Sequence, residues 1–442
     1  MSWIDQQFAE FGAKVACYEH GRTWTYADFV DEVDRMEALL SPAMGQAPAV
    51  IAIQMAGTMH ALAAVLAIVR LKQIALSLSP EMPMAEQAEQ QRIAGAAYIL
   101  SEASLISQAL EPNASKLVDQ LSERGHAGLI LFSSGTSGEP KGMLHDLDAL
   151  LERYQSVRPR ADRTVQLLLA DHIGGLDSAF RTLFAGSTLV VPEARTALSV
   201  GEAVERYDVN ILPASPTFLN LMLLAHVQDK FDCSSLEVIA YGAEPMPAGL
   251  LVRLVESFPN AGFQQKFGTS ETGAIRIKSQ RTDSLYFRIE DSGVEWRVQD
   301  DELWLKTSSR ILGYLNADES SLEADGWYRT GDLVEEAEGG YLRIIGRRSQ
   351  LINVGGQKVH PAEVEQVIAE IEGVEACSVY AKPAAVTGSM VACVIVPSSN
   401  QDLRTWKRLI RQHCRGRIAD WKIPVAIELR AELSMTDRLK RG

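Results

Sequence analysis

Between Ser133 and Gly142 the chain reads Ser-Ser-Gly-Thr-Ser-Gly-Glu-Pro-Lys-Gly. Glycine lets a backbone turn tightly and present its N–H groups, and the hydroxyls and the ammonium of Lys141 add further donors. Those are the groups that polyphosphate binding needs. The run is not a Walker A loop, which has Gly before the lysine and Ser or Thr after it. Here Pro140 precedes Lys141 and Gly142 follows. A surface Gly/Ser turn has the same composition, so the run alone leaves both readings open.

Such a loop needs elements to hold it. Residues 128–132 are apolar and predict a short buried strand running into the loop. Upstream, residues 15–19 read as a strand, and Thr25 is placed to cap a helix over 26–40. Residues 49–54 read as a strand, 59–70 as an Ala-rich helix and 74–78 as a strand. Further strands are expected at 165–169, 187–191, 209–212 and 238–241, with helices between. This rhythm predicts layered α/β architecture. After Ser284 the apolar residues alternate in short runs, which predicts a β-rich sub-domain over about 284–347. A polar junction follows at 348–350. Beyond it, helices at 361–371 and 403–415 and strands at 374–381 and 389–396 predict a small α+β unit. The expected layout is a large N-terminal body, 1–348, with a small mobile C-terminal domain, 349–442.

Composition sets the boundaries. The 442 residues are 46% hydrophobic and 23% charged, a globular mixture. Acidic residues outnumber basic ones, 57 to 43, for a net charge of −14. That argues against nucleic acid as a general partner, while leaving room for a local anion site. Five dispersed cysteines without a CxxC pair read as reduced thiols, hence a cytoplasmic protein. The apolar run 61–69 is too short to span a bilayer.

The loop resembles the signature of the adenylate-forming superfamily, which includes acyl-CoA synthetases, aryl-CoA ligases, adenylation domains and luciferases. Its string is [YF]-T-S-G-T-[ST]-G-x-P-K-G, with Ser133 here in place of a usual Thr. The resemblance makes Ser134, Gly135, Thr136, Ser137, Gly138 and Lys141 the phosphate-binding residues. Further motifs follow in family order along almost the whole chain. Phe267-Gly268-Thr269-Ser270-Glu271 resembles [YF]-G-x-[ST]-E. It implies an aromatic on adenine, a hydroxyl at the α-phosphate and a glutamate ligating Mg²⁺, an ion that takes oxygen ligands. Tyr241-Gly242-Ala243-Glu244-Pro245 resembles the segment forming the other wall of the adenine slot. Asp171-His172-Ile173-Gly174 resembles H-x-x-G, where the histidine meets the carboxylate substrate. Taken singly, Glu271 also reads as a solvated carboxylate, 241–245 as an ordinary turn and His172 as a satisfied histidine at a helix start.

Tyr328-Arg329-Thr330-Gly331-Asp332 resembles Y-x-T-G-D, whose aspartate binds both ribose hydroxyls; a carboxylate can accept two hydrogen bonds from a cis-diol. In 345–365 the chain is similar to G-R-x-[DK]-D-x-I-x-x-x-G-x-x-[VI]-x-P-x-E-[IV]-E. This implies that Arg347 binds ribose, that Ser349 is the hinge in place of Asp or Lys, and that Gly355 and Gly356 line the thiol tunnel. The family ends in L-P-x-T-x-x-G-K. Anchoring on Leu433 and Thr436 puts Lys440 in the catalytic place; another register puts Arg438 there.

The resemblance implies ATP-dependent activation of a carboxylic acid to an acyl-adenylate, with pyrophosphate released, then thioester formation with coenzyme A. An acyl-AMP ligase or stand-alone adenylation enzyme loading the phosphopantetheine of an acyl carrier protein is the alternative. A non-catalytic nucleotide-binding relative is a third reading. Acyl-pocket residues are expected from 171–180 and 214–219. The mostly apolar run 218–224 hints at a largely apolar acyl group, although such runs are more often plain core. Asp177 lies too close to Gly186 for the pattern of amino-acid-activating members.

Overall fold

The computed structural model describes residues 3–45, 47–110, 116–134, 139–317, 321–323, 325–384, 387–398 and 401–430. Two seven-stranded sheets dominate. One runs Gly313–Tyr314, Pro140–Asp146, Gly128–Ser134, Ile74–Ser77, Val50–Ile53, Ala96–Leu100, Leu105–Ser107. The other runs Gly262–Gln265, Val238–Tyr241, Ile211–Ala214, Arg163–Val165, Thr188–Val191, Val15–Glu19, Arg22–Thr25. In this second sheet Cys17 pairs in parallel with Leu189, so an N-terminal strand is stitched into a sheet made by residues far along the chain.

Helices fill the space between the sheets. Thr58–Arg70 is apolar on every face, and nine of its residues are buried. A helix of that composition belongs inside a layered core. It shares one apolar cluster with Trp3–Phe11, Tyr26–Leu40 and Ile173–Phe184, and with residues of both sheets such as Leu129, Leu131, Cys17 and Leu189. Thr25 forms the expected cap and exchanges hydrogen bonds with Asp28 as a capping box. The buried Tyr26 hydroxyl lies 2.9 Å from the carbonyl of Leu183 and 2.7 Å from that of Ser187, so its polar atom is satisfied.

A six-stranded antiparallel sheet follows, in the order Ile277–Ser279, Phe287–Ile289, Tyr341–Arg347, Tyr328–Ala337, Glu302–Thr307, Val294–Gln299. It begins a few residues earlier than the alternation at 284 suggested. The last sheet has five strands, all drawn from residues 352–429, over an apolar cluster of its own that includes Ile352, Val364, Trp406 and Ile427. The layered α/β body, the β-rich part and the α+β C-terminal part are therefore all present.

Three local expectations shift. The strand expected at 165–169 ends at Val165. The Gln166 amide donates to the carbonyls of Leu168 and Gly175, at 2.5 and 3.3 Å, and folds the chain away from the sheet. The strand expected at 209–212 starts at Ile211, because Val209 still donates to Val204 at the end of the preceding helix. Lys141 is not in a loop: it sits on Pro140–Asp146, opposite Ser133 in an antiparallel hairpin.

Candidate active site

Parts of the sequence motifs line one cleft of about 1820 Å³, while Lys141, His172, Thr269, Ser270 and Glu271 are not among its lining residues. Phe132, Ser133 and Pro140 line it at the two ends of the glycine-rich hairpin. Gly135, Thr136, Ser137 and Gly138 lie outside the described residues, as does the side chain of Ser134. What is described is how the hairpin is held. The Asn316 side chain accepts from the N–H of Gly142 and donates to the carbonyl of Pro140, both at 2.9 Å.

The wall opposite comes from strand ends. Val238–Tyr241 and Gly262–Gln265 run parallel, with Tyr241 opposite Gln265. Just past them, Gly242, Ala243, Phe267 and Gly268 line the cleft. Gly242 tolerates no side chain: a Cβ there would sit 2.8 Å from the carbonyl oxygen of Lys266. Ala243 holds φ +71, a left-handed conformation that costs an L-residue about 1–2 kcal/mol and marks a strained turn. The Glu244 carboxylate accepts from the N–H of Thr217 at 2.7 Å, at the start of the helix Pro216–Leu224, so it fixes the wall. The Phe267 ring stacks on Phe287 with centroids 5.5 Å apart.

Thr269, Ser270 and Glu271 follow in a tight turn between two short strands. The buried Thr269 hydroxyl accepts from the N–H groups of Glu271 and Thr272, at 3.2 and 3.1 Å. Glu271 accepts from the Tyr314 hydroxyl at 2.9 Å, and Lys141 Nζ stands 5.9 Å from the centroid of the Tyr314 ring. Lys141, Tyr314 and Glu271 thus form one line beside the hairpin. Among the described residues no group of three or more His, Cys, Asp or Glu is placed to hold a metal by itself.

Asp332 lies opposite Arg347 on neighbouring strands, and the Arg347 Nε donates to its Oδ1 at 2.9 Å. The aspartate is only 5% exposed. Burial raises its pKa, and Arg347 partly offsets this. The turn before it is braced: Gly331, at φ +72, donates to Glu302 at 3.0 Å, and the Thr330 hydroxyl donates to Leu303 at 2.7 Å. Glu302 was not singled out in the sequence. Its signal was an acidic residue opening a strand whose neighbours point into the core.

Other expected residues fall elsewhere. His172 caps the helix Ile173–Phe184, and its Nδ1 accepts from Gly174 at 3.2 Å. Its neighbour Asp171 lines the cleft. Asp177 accepts from the Tyr154 hydroxyl at 2.8 Å. Phe218, Leu219 and Met222 are buried in an apolar cluster, so the run 218–224 is largely core. Ser349 lines the cleft from the short 3-10 turn Arg348–Gln350. Gly355 and Gly356, at φ +58 and +91, form the turn between Ile352–Val354 and Gln357–Val359 and are not among the lining residues. The C-terminal part instead presents the helix Pro361–Ala369 and the strand Val374–Ala384 to the cleft. Lys440 and Arg438 lie outside the described residues.

The sequence model for AMP-binding enzymes matches residues 4–303, more than half of the chain. The chain belongs to the AMP-binding enzyme family. The model for the C-terminal domain of these enzymes matches residues 363–440. A 2-succinylbenzoate–CoA ligase of Listeria monocytogenes is 28% identical over 70% of this chain and 67% of its own length. A long-chain-fatty-acid–CoA ligase of Mycobacterium tuberculosis is 27% identical over 67% of this chain and 62% of its own. The matched stretches thus span about two thirds of these relatives. Among solved structures, an anthranilate CoA ligase in complex with anthranoyl-AMP superposes with a TM-score of 0.82 at 20% identity, covering 100% of this chain and 95% of that one. An amide bond synthetase from Marinactinospora thermotolerans gives 0.78 at 22% identity, covering 98% and 96%. These likenesses fix the fold.

Proposed function

We propose that the protein activates a carboxylic acid with ATP and then transfers the acyl group to the thiol of coenzyme A. The observation that carries this reading is the single cleft on which Asp332–Arg347, the 242–244 wall, Phe267 and the glycine-rich hairpin converge. At about 1820 Å³ it exceeds the roughly 300–1,000 Å³ of a one-ligand pocket, and it has room for a nucleotide and an acid together. Family membership supports the same reading. So do the names of the relatives, which act on 2-succinylbenzoate and on long-chain fatty acids, both carboxylic acids.

In the first step a carboxylate oxygen bonds to the α-phosphorus of ATP, and the bond to the pyrophosphate oxygen breaks. Both reactants are anions, so the site must supply positive charge and alignment. Asp332 and Arg347 hold the ribose, Gly242–Glu244 and Phe267 flank the adenine, and Lys141 with the hairpin N–H groups holds the leaving phosphates. Magnesium suits this site. It binds through one or two carboxylates and completes its shell with phosphate oxygens and water, and Glu271 offers one such carboxylate beside the hairpin. Bound there, the ion supplies charge neutralisation on the phosphates.

In the second step the thiol attacks the acyl carbonyl, AMP departs and the thiol proton is released. Residues 349–442 act as a lid turning about Ser349. In the arrangement described, the Gly355-Gly356 turn is away from the cleft, and rotation brings it to the thiol path. The same motion withdraws Lys440, which bridges carboxylate and α-phosphate during adenylation. Five unpaired cysteines support a cytoplasmic setting.

ATP–pyrophosphate exchange over a panel of carboxylic acids tests the first step. Exchange with at least one acid is expected; ATP binding without exchange for any acid refutes it. Capture of the activated acid by coenzyme A against an acyl carrier protein then identifies the acceptor.

A further inference from the structure

Residues 140–142 of the hairpin and the turn at 269–271 are far apart in sequence, and one short segment holds both. The N–H of Ile311 donates to the carbonyl of Glu271 at 2.7 Å. Further along, the N–H of Leu315 donates to the carbonyl of Gly142 at 2.8 Å, and the Asn316 side chain grips Pro140 and Gly142. Between them, Gly313 and Tyr314 lie opposite Leu144 and Met143 as a short antiparallel pair. The stretch 311–316 is thus bound to the Glu271 turn at one end and to the hairpin at the other.

Tyr314 meets a charge with each part of its side chain. Its hydroxyl donates to Glu271 Oε1 at 2.9 Å. Its ring centroid is 5.9 Å from Lys141 Nζ, within the roughly 6 Å over which an ammonium is drawn to an aromatic face. The Tyr328 hydroxyl faces the same carboxylate, and burial together with the charge of Glu271 pushes its pKa up. Neutral phenols therefore orient Glu271. Among the described residues neither Lys141 nor Glu271 enters an ion pair, although both meet Tyr314. Asp332, by contrast, is paired with Arg347 at 2.9 Å. Opposite charges this near to each other gain from pairing unless something holds them apart. Once paired, they would have to separate before an anion reached Lys141 or a cation reached Glu271.

We infer that Tyr314 is a positioning residue that keeps Lys141 and Glu271 in register and unpaired, so that the ammonium stays available to phosphate and the carboxylate to magnesium. This rests on the roles proposed above for those two groups. Charges that are already separated and aimed lose no binding energy to rearrangement.

A double-substitution cycle tests the separation without any ligand. Lys141→Gln, Glu271→Gln and their combination are compared in urea unfolding, once with Tyr314 and once with Tyr314→Leu. With Tyr314 the two midpoint shifts should add. With Tyr314→Leu the shift of the combination should fall short of the sum, because the freed charges pair. Coupling already present with Tyr314, or absent with Tyr314→Leu, would overturn the inference. Calorimetric titration gives a second readout, using Tyr314→Phe, which preserves the packing of the ring and serves even where Tyr314→Leu unfolds. It loses the hydroxyl, so the gain in ATP affinity on adding Mg²⁺ should fall about tenfold, the worth of one hydrogen bond to a charged group. AMP has no leaving phosphates, and its affinity should stay within about twofold of wild type. An equal fall for ATP and AMP marks a merely structural role and overturns the inference, as does an unchanged magnesium effect. If the wild type binds no ATP, the adenylation reading fails, and the unfolding cycle by itself decides whether Tyr314 separates the two charges.

Discussion

Replacing Asp332 by Asn isolates the charge of the proposed ribose contact from its shape. The carboxylate is 5% exposed and receives one hydrogen bond, from Arg347 Nε at 2.9 Å. Its remaining lone pairs can accept from both ribose hydroxyls. A hydrogen bond to a charged group contributes about 1.5–3 kcal/mol, and a neutral one about 0.5–1.5 kcal/mol. Asparagine keeps one uncharged acceptor and turns the other oxygen into a donor. The loss is then about 2 kcal/mol, or roughly thirtyfold in nucleotide affinity. Stability should change less, because the penalty for burying the charge disappears together with the Arg347 pair, in line with the raised pKa of Asp332. The assay is calorimetric titration with AMP, 2′-deoxy-AMP and 3′-deoxy-AMP. The wild type should discriminate against both deoxy nucleotides, and Asp332→Asn should bind all three similarly. Asp332→Asn binding AMP within about twofold of wild type, or still penalising the deoxy nucleotides as strongly, would refute the ribose assignment.

The same carboxyl predicts a pH dependence. Its pKa is raised by burial, so it takes up a proton above the ordinary carboxylate range as the pH falls, and AMP affinity should fall with it. Titration of AMP affinity from neutral to acidic pH should show this limb in the wild type and lose it in Asp332→Asn. Gly268→Ala would put a Cβ 2.4 Å from the carbonyl oxygen of Gly273 and 2.9 Å from the Cα of Ala274. The hairpin carrying Glu271 must open, at about 1–3 kcal/mol, so both Tm and exchange activity should drop. Gly293→Ala, whose nearest contact would be 3.6 Å, should leave both unchanged. Lys440→Ala should reduce adenylation by orders of magnitude while sparing thioester formation from supplied acyl-AMP. If Arg438→Ala does this instead, the other register of the C-terminal segment holds.

The layering was legible because periodicity and capping are local. Thr25 needs only Asp28 to declare a helix start, and an apolar helix such as Thr58–Arg70 has nowhere to lie except between sheets. Gly242, Phe267, Asp332 and Arg347 were singled out through short motifs at or beside strands, and all four line the cleft. What stayed hidden depends on distant neighbours. Lys141 was read as part of a loop because its pairing with Ser133 spans residues whose composition signals only a turn. For the apolar run 218–224 composition alone left acyl pocket and plain core both open, and Phe218, Leu219 and Met222 are buried in an apolar cluster.

The hinge is a further instance. Ser349 lacks the charge usual at that position of the motif, which removes one obvious means of controlling rotation. The adjacent residue supplies another anchor. Arg348 Nε donates to Glu302 at 2.8 Å, and a terminal nitrogen of the same guanidinium donates to the carbonyl of Asp300 at 2.8 Å. Glu302 is 3% exposed and also receives the N–H of Gly331, the residue before Asp332. One buried carboxylate therefore holds both Gly331, next to the proposed ribose contact, and Arg348, next to the proposed hinge. Glu302 also pairs with Arg329 at 3.5 Å, so Arg348 is one of two cations on this carboxylate. In the proposed rotation about Ser349, both hydrogen bonds of Arg348 can stay with the body.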